Sequence, residues 1–262
     1  MTSKTEPRLL CYDLGEGVTA FSTTRHGGVS EANYASFNIN PYCGDSADHV
    51  ARNRQLLADR LGLPVSHIVL PHQVHGIEHR AVAPELLDMS DAVRDKILDG
   101  VDMVTTSMTG VCIGVSTADC IPVLLYDPVA RATAAIHAGW RGTLQRICQR
   151  AVMAMQLHYG TTPDRLRAVV GPGISLANFE VGQEVYDQFA EAGFDLTETA
   201  EWHTKWHLDL PGINIRELIG CGVAPEHIHH ADICTFDHAD DYFSARRLGI
   251  DSGRIYTGIL MR

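Results

Sequence analysis

Residues 116–143 read STADCIPVLLYDPVARATAAIHAGWRGT. Two apolar runs, IPVLLYD and RATAAIHAG, flank DPVA, the kind of turn that joins adjacent antiparallel strands. In such a hairpin the residue before the first strand and the residue ending the second lie at the same end of the sheet. Cys120 and His137 are therefore expected to be neighbours. Three readings of the pair stand at this point: a nucleophile and its base, two ligands of one metal, or two ordinary core residues. The first two both require a thiolate, so cysteine reactivity does not separate them.

A third residue sharpens the metal reading. HIVLPHQVHG starts as a buried strand at His67 and delivers His75, followed by Gly76, at its polar end. Two imidazoles and a thiolate suit zinc, which takes N and S donors in tetrahedral geometry, and three protein ligands leave the fourth position open. The HIHH run from His227 to His230 offers an H-x-H pair such as copper oxidases use. One pair is too few for a multicopper centre.

Outward from the hairpin, strands and helices mix without strict alternation. VTAFSTT from Val18 reads as a strand and RHGGVS after it as a turn. SADHVARNRQLLADRLG reads as a helix with Ser46 as N-cap, carrying Arg54 and closed by Gly62. KILDGVDMVTTSMTGVCIGVSTADC holds two β-rich runs separated by Thr109 and Gly110. GTLQRICQRAVMAMQLHYG reads as one amphipathic helix with a stripe of Leu144, Ile147, Ala151, Met155 and Leu157, ended by Gly160. LRAVVGPG is a strand into a turn, VGQEVYDQFAEAG and LPGINIRELIGCG are helices, and HIHHADICT and RIYTGILM are late strands. The pattern is α+β with mixed sheets, not a doubly wound nucleotide fold.

The bounds set by composition agree. The 262 residues suffice for one large domain, which at this size buries roughly 70% or more of its unfolded surface, and no linker or repeat divides the chain. A single domain over 1–262 is expected. Acidic residues outnumber basic ones 32 to 21, for a net charge of -11, so nothing favours a nucleic-acid partner. The N-terminus lacks the basic start and apolar core of a secretory signal, and no stretch approaches the ~20 apolar residues of a membrane span. A cytoplasmic protein with no membrane partner, monomeric or weakly homo-oligomeric, is expected. The seven cysteines are odd in number and free of any C-x-x-C pair, which argues against a disulfide framework or a zinc ribbon. Signatures of P-loops, zincins, α/β-hydrolases and zinc base deaminases are absent. GPGI at 171–174 lacks the third glycine of a dinucleotide cradle. Among the arginines, Arg25 in TTRHGG and Arg141 in GWRG sit beside glycines where an anion could approach.

Taken in order, FSTTRHGGVSEANYASFNIN, GDSADHVARNRQLLADRLGLP, LPHQVHG, DGVDMVTTSMTGVCIGVSTADCIPVLLYDP, AAIHAGWRGT, VGPGIS with FEVG, and CTF with YFSARR resemble the laccase-domain family, from about Phe21 to Gly258. Its YfiH-like bacterial members have been called polyphenol oxidases, purine nucleoside phosphorylases and peptidoglycan editing factors. The resemblance implies a YfiH-like domain with zinc, or less readily copper, on His75, Cys120 and His137. It further implies a pocket using Asn38 and Arg54, with Arg246 of the RR pair as an additional phosphate anchor; Arg25 stays a candidate anion anchor by its place beside the turn glycines. Asp119, beside the ligand cysteine, is expected to orient a ligand histidine or shuttle a proton, or else only to form a turn. The activity implied is phosphorolysis of adenosine, inosine, guanosine and methylthioadenosine, with adenosine deamination beside it. The alternatives are amide hydrolysis in a mis-assembled peptidoglycan precursor, copper-dependent phenol oxidation, or a metal-bound interaction module without turnover. One departure is visible: Gly173 stands where the family often has Cys in GPCI, so that loop lends no sulfur here.

Overall fold

The computed structural model describes residues 6–262. Two mixed sheets are stacked face to face, and helices cover their outer sides. The larger sheet has six strands in the order Ile228–His230, Arg167–Val170, Ile121–Asp127, Ala132–Ala138, Val101–Thr106 and Glu78–Ala81. Its centre is the expected hairpin, antiparallel with Pro122 opposite His137 and Asp127 opposite Ala132. The second sheet runs Leu9–Tyr12, Val18–Thr23, Ile255–Met261, Cys112–Thr117 and Ile68–Val69. The two β-rich runs either side of Thr109 and Gly110 thus lie in different sheets.

Side-chain alternation explains why the central strands read as continuous apolar runs. Ile121, Val123 and Leu125 face one way, into a core shared with the helices Ile147–Tyr159, Gln183–Glu191 and Leu210–Gly220. Leu124 and Tyr126 face the other way and meet Ile113, Val115 and Ile259 of the second sheet. A strand covered on both faces has no use for a polar alternate. The outer side of the second sheet is closed by the helix Ala47–Leu61, whose Leu57, Ala58 and Leu61 pack on Phe21, Cys112 and Tyr256. The layers are helix, sheet, sheet, helix: the α+β architecture with mixed sheets that the pattern predicts.

Details differ from the expectation where local geometry overrules pattern. The helix anticipated from Gly142 to Gly160 is two, Trp140–Leu144 and Ile147–Tyr159. Arg146 breaks it with a left-handed φ of 60°, its guanidinium paired with Glu217 and lying over the Phe194 ring. Met155 is buried as expected, but Leu157 is 81% exposed and leaves the stripe. Ser46 stands at the N-cap of its helix without a side-chain capping bond, while Gly62 closes the helix in the left-handed region as expected. Among the described residues no helix is long and apolar enough to cross a membrane.

Candidate metal centre

The site lies where the chain crosses from one sheet to the other. The loop after Ile68–Val69 carries His75 across to the edge strand Glu78–Ala81, and the turn after Cys112–Thr117 carries Cys120 into Ile121–Asp127. His137 comes from the end of the hairpin's second strand. The donor atoms of His75, Cys120 and His137 lie within 4.8 Å of one another, and among the described residues they are the one such group of three. The two imidazoles meet nearly edge to face, 4.9 Å between centroids. Gly139 keeps the space open: a Cβ there would lie 3.1 Å from both Cys120 Sγ and His75 Cδ2.

Both loop donors sit in or beside strained backbone. His75 has φ 63° and Asp119, the residue before Cys120, has φ 90°, conformations that cost a non-glycine residue about 1–3 kcal/mol unless the surroundings fix them. They are fixed by two different carboxylates. Asp102, fully buried in Val101–Thr106, accepts the backbone N–H groups of Val74 (3.2 Å), His75 (3.0 Å) and Gly76 (2.7 Å). It also accepts from Nδ1 of His137 at 2.6 Å, which leaves Nε2 for the site. Asp119 accepts from Thr235 Oγ1 and from the backbone N–H of Arg246, each at 2.7 Å.

The electrostatics follow from this packing. Burial by itself would raise the Cys120 thiol, but the charge and hydrogen bond of His137, with a further bond from His75, outweigh it and bring it down to about 6. His137 is pushed the other way: burial disfavours its cation, yet the Cys120 thiolate and the Asp102 carboxylate raise it to about 9. Burial likewise works against the Asp102 anion, but the His137 bond and the backbone N–H groups hold it below the ordinary carboxylate range. Without metal, the site is thus a thiolate and imidazolium pair backed by a carboxylate. That order, Asp102 to His137 to Cys120, also suits a cysteine nucleophile with an oriented base. The second imidazole, His75, distinguishes the site: a nucleophile and its base have no use for it, whereas a soft N/S donor set for zinc does. The three residues fit such an ion.

A cavity of about 200 Å³ opens on the triad, lined among others by Asn40, Tyr42, His72, Ser116, Ile250 and Arg254. Tyr42 and His72 stack with centroids 4.2 Å apart, and Nδ1 of His72 is 2.6 Å from Asp99. Asn40 donates to Ser116 Oγ at 2.5 Å. Gln73 pins Ser116 through both its backbone groups at 2.8 Å. Arg254 is the one arginine on this wall; its guanidinium is turned onto the carbonyls of Ile250, Ser252 and Gly253.

The remaining residues singled out in the sequence lie elsewhere. Asn38 is fully buried behind the wall and accepts from the backbone N–H groups of Asn40 and Arg254, each at 3.2 Å. Arg54 lines an adjoining cavity of about 470 Å³ that shares Tyr42 with the first, and donates to the Ile68 carbonyl. Arg25 is committed to the carbonyls of Ala35 and Ala239 and to the Phe243 ring, and Arg246 to the Glu180 carbonyl and the Phe179 ring. Neither lines the cavity. Arg141 lies over Trp140, and His229 packs beside Tyr12 on an edge strand. The carboxylate that meets a ligand histidine is Asp102, whereas Asp119 holds the turn and the segment around Arg246. At Gly173 a Cβ would lie 2.3 Å from Ile121 Cδ1, so a side chain there requires the end of Ile121 to shift. Sequence reading missed Asp102, Asn40, Tyr42 and Arg254. Only Asp102 carries a signal, an acid inside an apolar strand that must find partners once buried.

Comparison with known proteins places this geometry. A purine nucleoside phosphorylase from Bacteroides thetaiotaomicron is 44% identical over 247 residues, covering 93% of this chain and 92% of the relative. An adenosine deaminase, RL5, from an unknown prokaryotic organism is 40% identical over 248 residues, covering 93% and 94%. The crystal structure of the Bacillus licheniformis hypothetical protein YfiH superposes with a TM-score of 0.91 at 28% identity, covering 98% of this chain and 97% of that one. YlmD from Geobacillus stearothermophilus superposes with a TM-score of 0.88 at 30% identity, covering 96% and 94%. Residues 19–262 match the family described as multi-copper polyphenol oxidoreductase laccase, and with these relatives beside it the chain belongs to that family, in its YfiH-like branch.

Proposed function

We propose that the protein is a zinc-dependent purine nucleoside phosphorylase acting on adenosine, inosine, guanosine and methylthioadenosine, with adenosine deamination as a side activity. The observation that carries the reading is the His75, Cys120 and His137 donor set opening on a cavity walled by a stacked Tyr42 and His72 pair. The names of the relatives point the same way. Zinc held by these three residues would supply Lewis-acid chemistry at its open position.

The chain's own groups account for the rest of the reaction. The exposed face of Tyr42, backed by His72, offers a stacking platform for the purine. Arg254 and, from the adjoining cavity, Arg54 supply local positive charge for phosphate within a chain of net charge -11. Phosphate so held attacks C1′ of the nucleoside, the C–N bond breaks, and the electron pair leaves with the purine. His72, its Nδ1 2.6 Å from Asp99, braces the Tyr42 ring from behind, and the departing base takes up the proton that the attacking hydrogen phosphate gives up. In deamination a water attacks C6 in place of phosphate at C1′, and ammonia leaves.

The test is phosphate-dependent release of adenine or hypoxanthine and ribose 1-phosphate by the purified, metal-assayed protein. Cys120→Ala is expected to abolish it, and Arg54→Ala to raise KM for phosphate about tenfold, the worth of one charge-assisted bond. Zinc-containing protein that leaves every nucleoside intact would overturn the proposed activity. Full activity after complete metal removal would instead favour Cys120 as a nucleophile backed by His137 and Asp102.

A further inference from the structure

We propose that Asp102 is the positioning residue of the metal centre, one buried carboxylate that orients two of the three donors, His137 through its ring and His75 through the backbone of its turn. The inference rests on the reading of the triad as a metal site. Asp102 sits in the strand Val101–Thr106, antiparallel to Ala132–Ala138 with Met103 opposite Ile136. One step further along that register lies His137, so the pleat puts the carboxylate beside its ring.

Of the four bonds the carboxylate accepts, one comes from the His137 ring and three from the backbone of the turn that carries His75. Oδ1 accepts from His137 Nδ1 (2.6 Å) and from the backbone N–H of His75 (3.0 Å). Oδ2 accepts from the N–H groups of Gly76 (2.7 Å) and Val74 (3.2 Å). Three successive N–H groups aimed at one anion form a concave nest, and that nest is the turn in which His75 takes its φ of 63°. One side chain therefore sets which nitrogen His137 presents and where the His75 ring stands, before any ion arrives. Partners of this kind typically contribute 10–100-fold to metal affinity. Asp119 does not duplicate the role, because its oxygens are taken by Thr235 and Arg246.

The experiment compares wild type, Asp102→Asn and Asp127→Asn by cobalt(II) titration, followed through the visible bands and by chelator competition. Asp127 is an equally buried strand aspartate that binds backbone N–H groups, at Val129 and Ala130, outside the site. It reports what losing a structural carboxylate does by itself. Asp102→Asn is expected to bind cobalt about 10–100-fold more weakly, with altered bands, and Asp127→Asn to bind like wild type. Wild-type affinity and bands in Asp102→Asn, or an equal loss in both variants, would overturn the positioning role while leaving the metal site standing. Absence of cobalt binding by wild type would sink the site and the inference together. Should Asp102→Asn not fold, long-range ¹H–¹⁵N spectra of zinc-loaded wild type decide. His137 is expected to carry its proton on Nδ1, and a proton on Nε2 would overturn the proposal.

Discussion

Cys120 shows how much of a residue's chemistry comes from neighbours that the sequence places far away. Its thiol is held down to about 6 chiefly because His137 stays cationic beside it, and His137 stays cationic in part because Asp102 faces its other nitrogen. In metal-free protein, alkylation of Cys120 followed by peptide mass spectrometry is expected to rise with a midpoint near pH 6. The sign follows from the thiolate being the reactive form: a depressed value means reactivity persists as pH falls, until about 6. Zinc should protect the sulfur. Asp102→Asn, by weakening the imidazolium, should move the midpoint up toward the ordinary thiol value of about 8.5, and an unmoved midpoint would contradict the chain of causes. Cys120 and His137 were legible as neighbours, since they stand at the same end of one hairpin, and His75 as the polar end of another apolar run. Asp102 was not singled out, because its function depends on a register between strands more than thirty residues apart. Asn40 and Arg254 were missed for a similar reason. Asn38, the asparagine implied by the resemblance, stands behind the cavity and holds those two in place.

At the level of elements, burial on both sheet faces made the hairpin readable, and helix amphipathicity was readable wherever the helix stayed straight. The misreading of Leu157 marks the limit. Ile147, Ala151 and Met155 follow a four-residue spacing that keeps them on the sheet, whereas Leu157, two positions past Met155, points to solvent. Met155→Ala is therefore expected to cost about 2–5 kcal/mol, and Leu157→Lys to change stability by less than about 0.5 kcal/mol, both measured by chemical denaturation. Similar losses for the two would mean that the helix packs differently. The break at Arg146 could not be read from propensity, since arginine is a good helix former. Its left-handed conformation is held by tertiary contacts with Glu217 and Phe194.

For the molecule as a whole, the site occupies a seam. Two donors lie on segments that pass from the second sheet to the first, and the third stands at the end of the central hairpin. A metal bound there ties the crossings together and should stabilise the entire fold by linkage. At a hundredfold excess over Kd the gain is about 2.7 kcal/mol, or roughly 5–10 °C in Tm for a chain of this size. Calorimetry with zinc and then with chelator is expected to show that rise and its reversal, and Cys120→Ala to show neither. A Tm indifferent to zinc in wild type would argue against the seam. By itself the sequence determined the two-sided burial of the central strands and the α+β mixture, because apolar periodicity is a local property, and it singled out His75, Cys120 and His137 as candidate donors while leaving their role open. The tertiary structure alone decided which acid serves the histidines and which arginines line a cavity, Arg254 and Arg54, and which do not, Arg25 and Arg246. Those outcomes depend on strand register and on loops meeting across two sheets, and neither is written in any short stretch of chain.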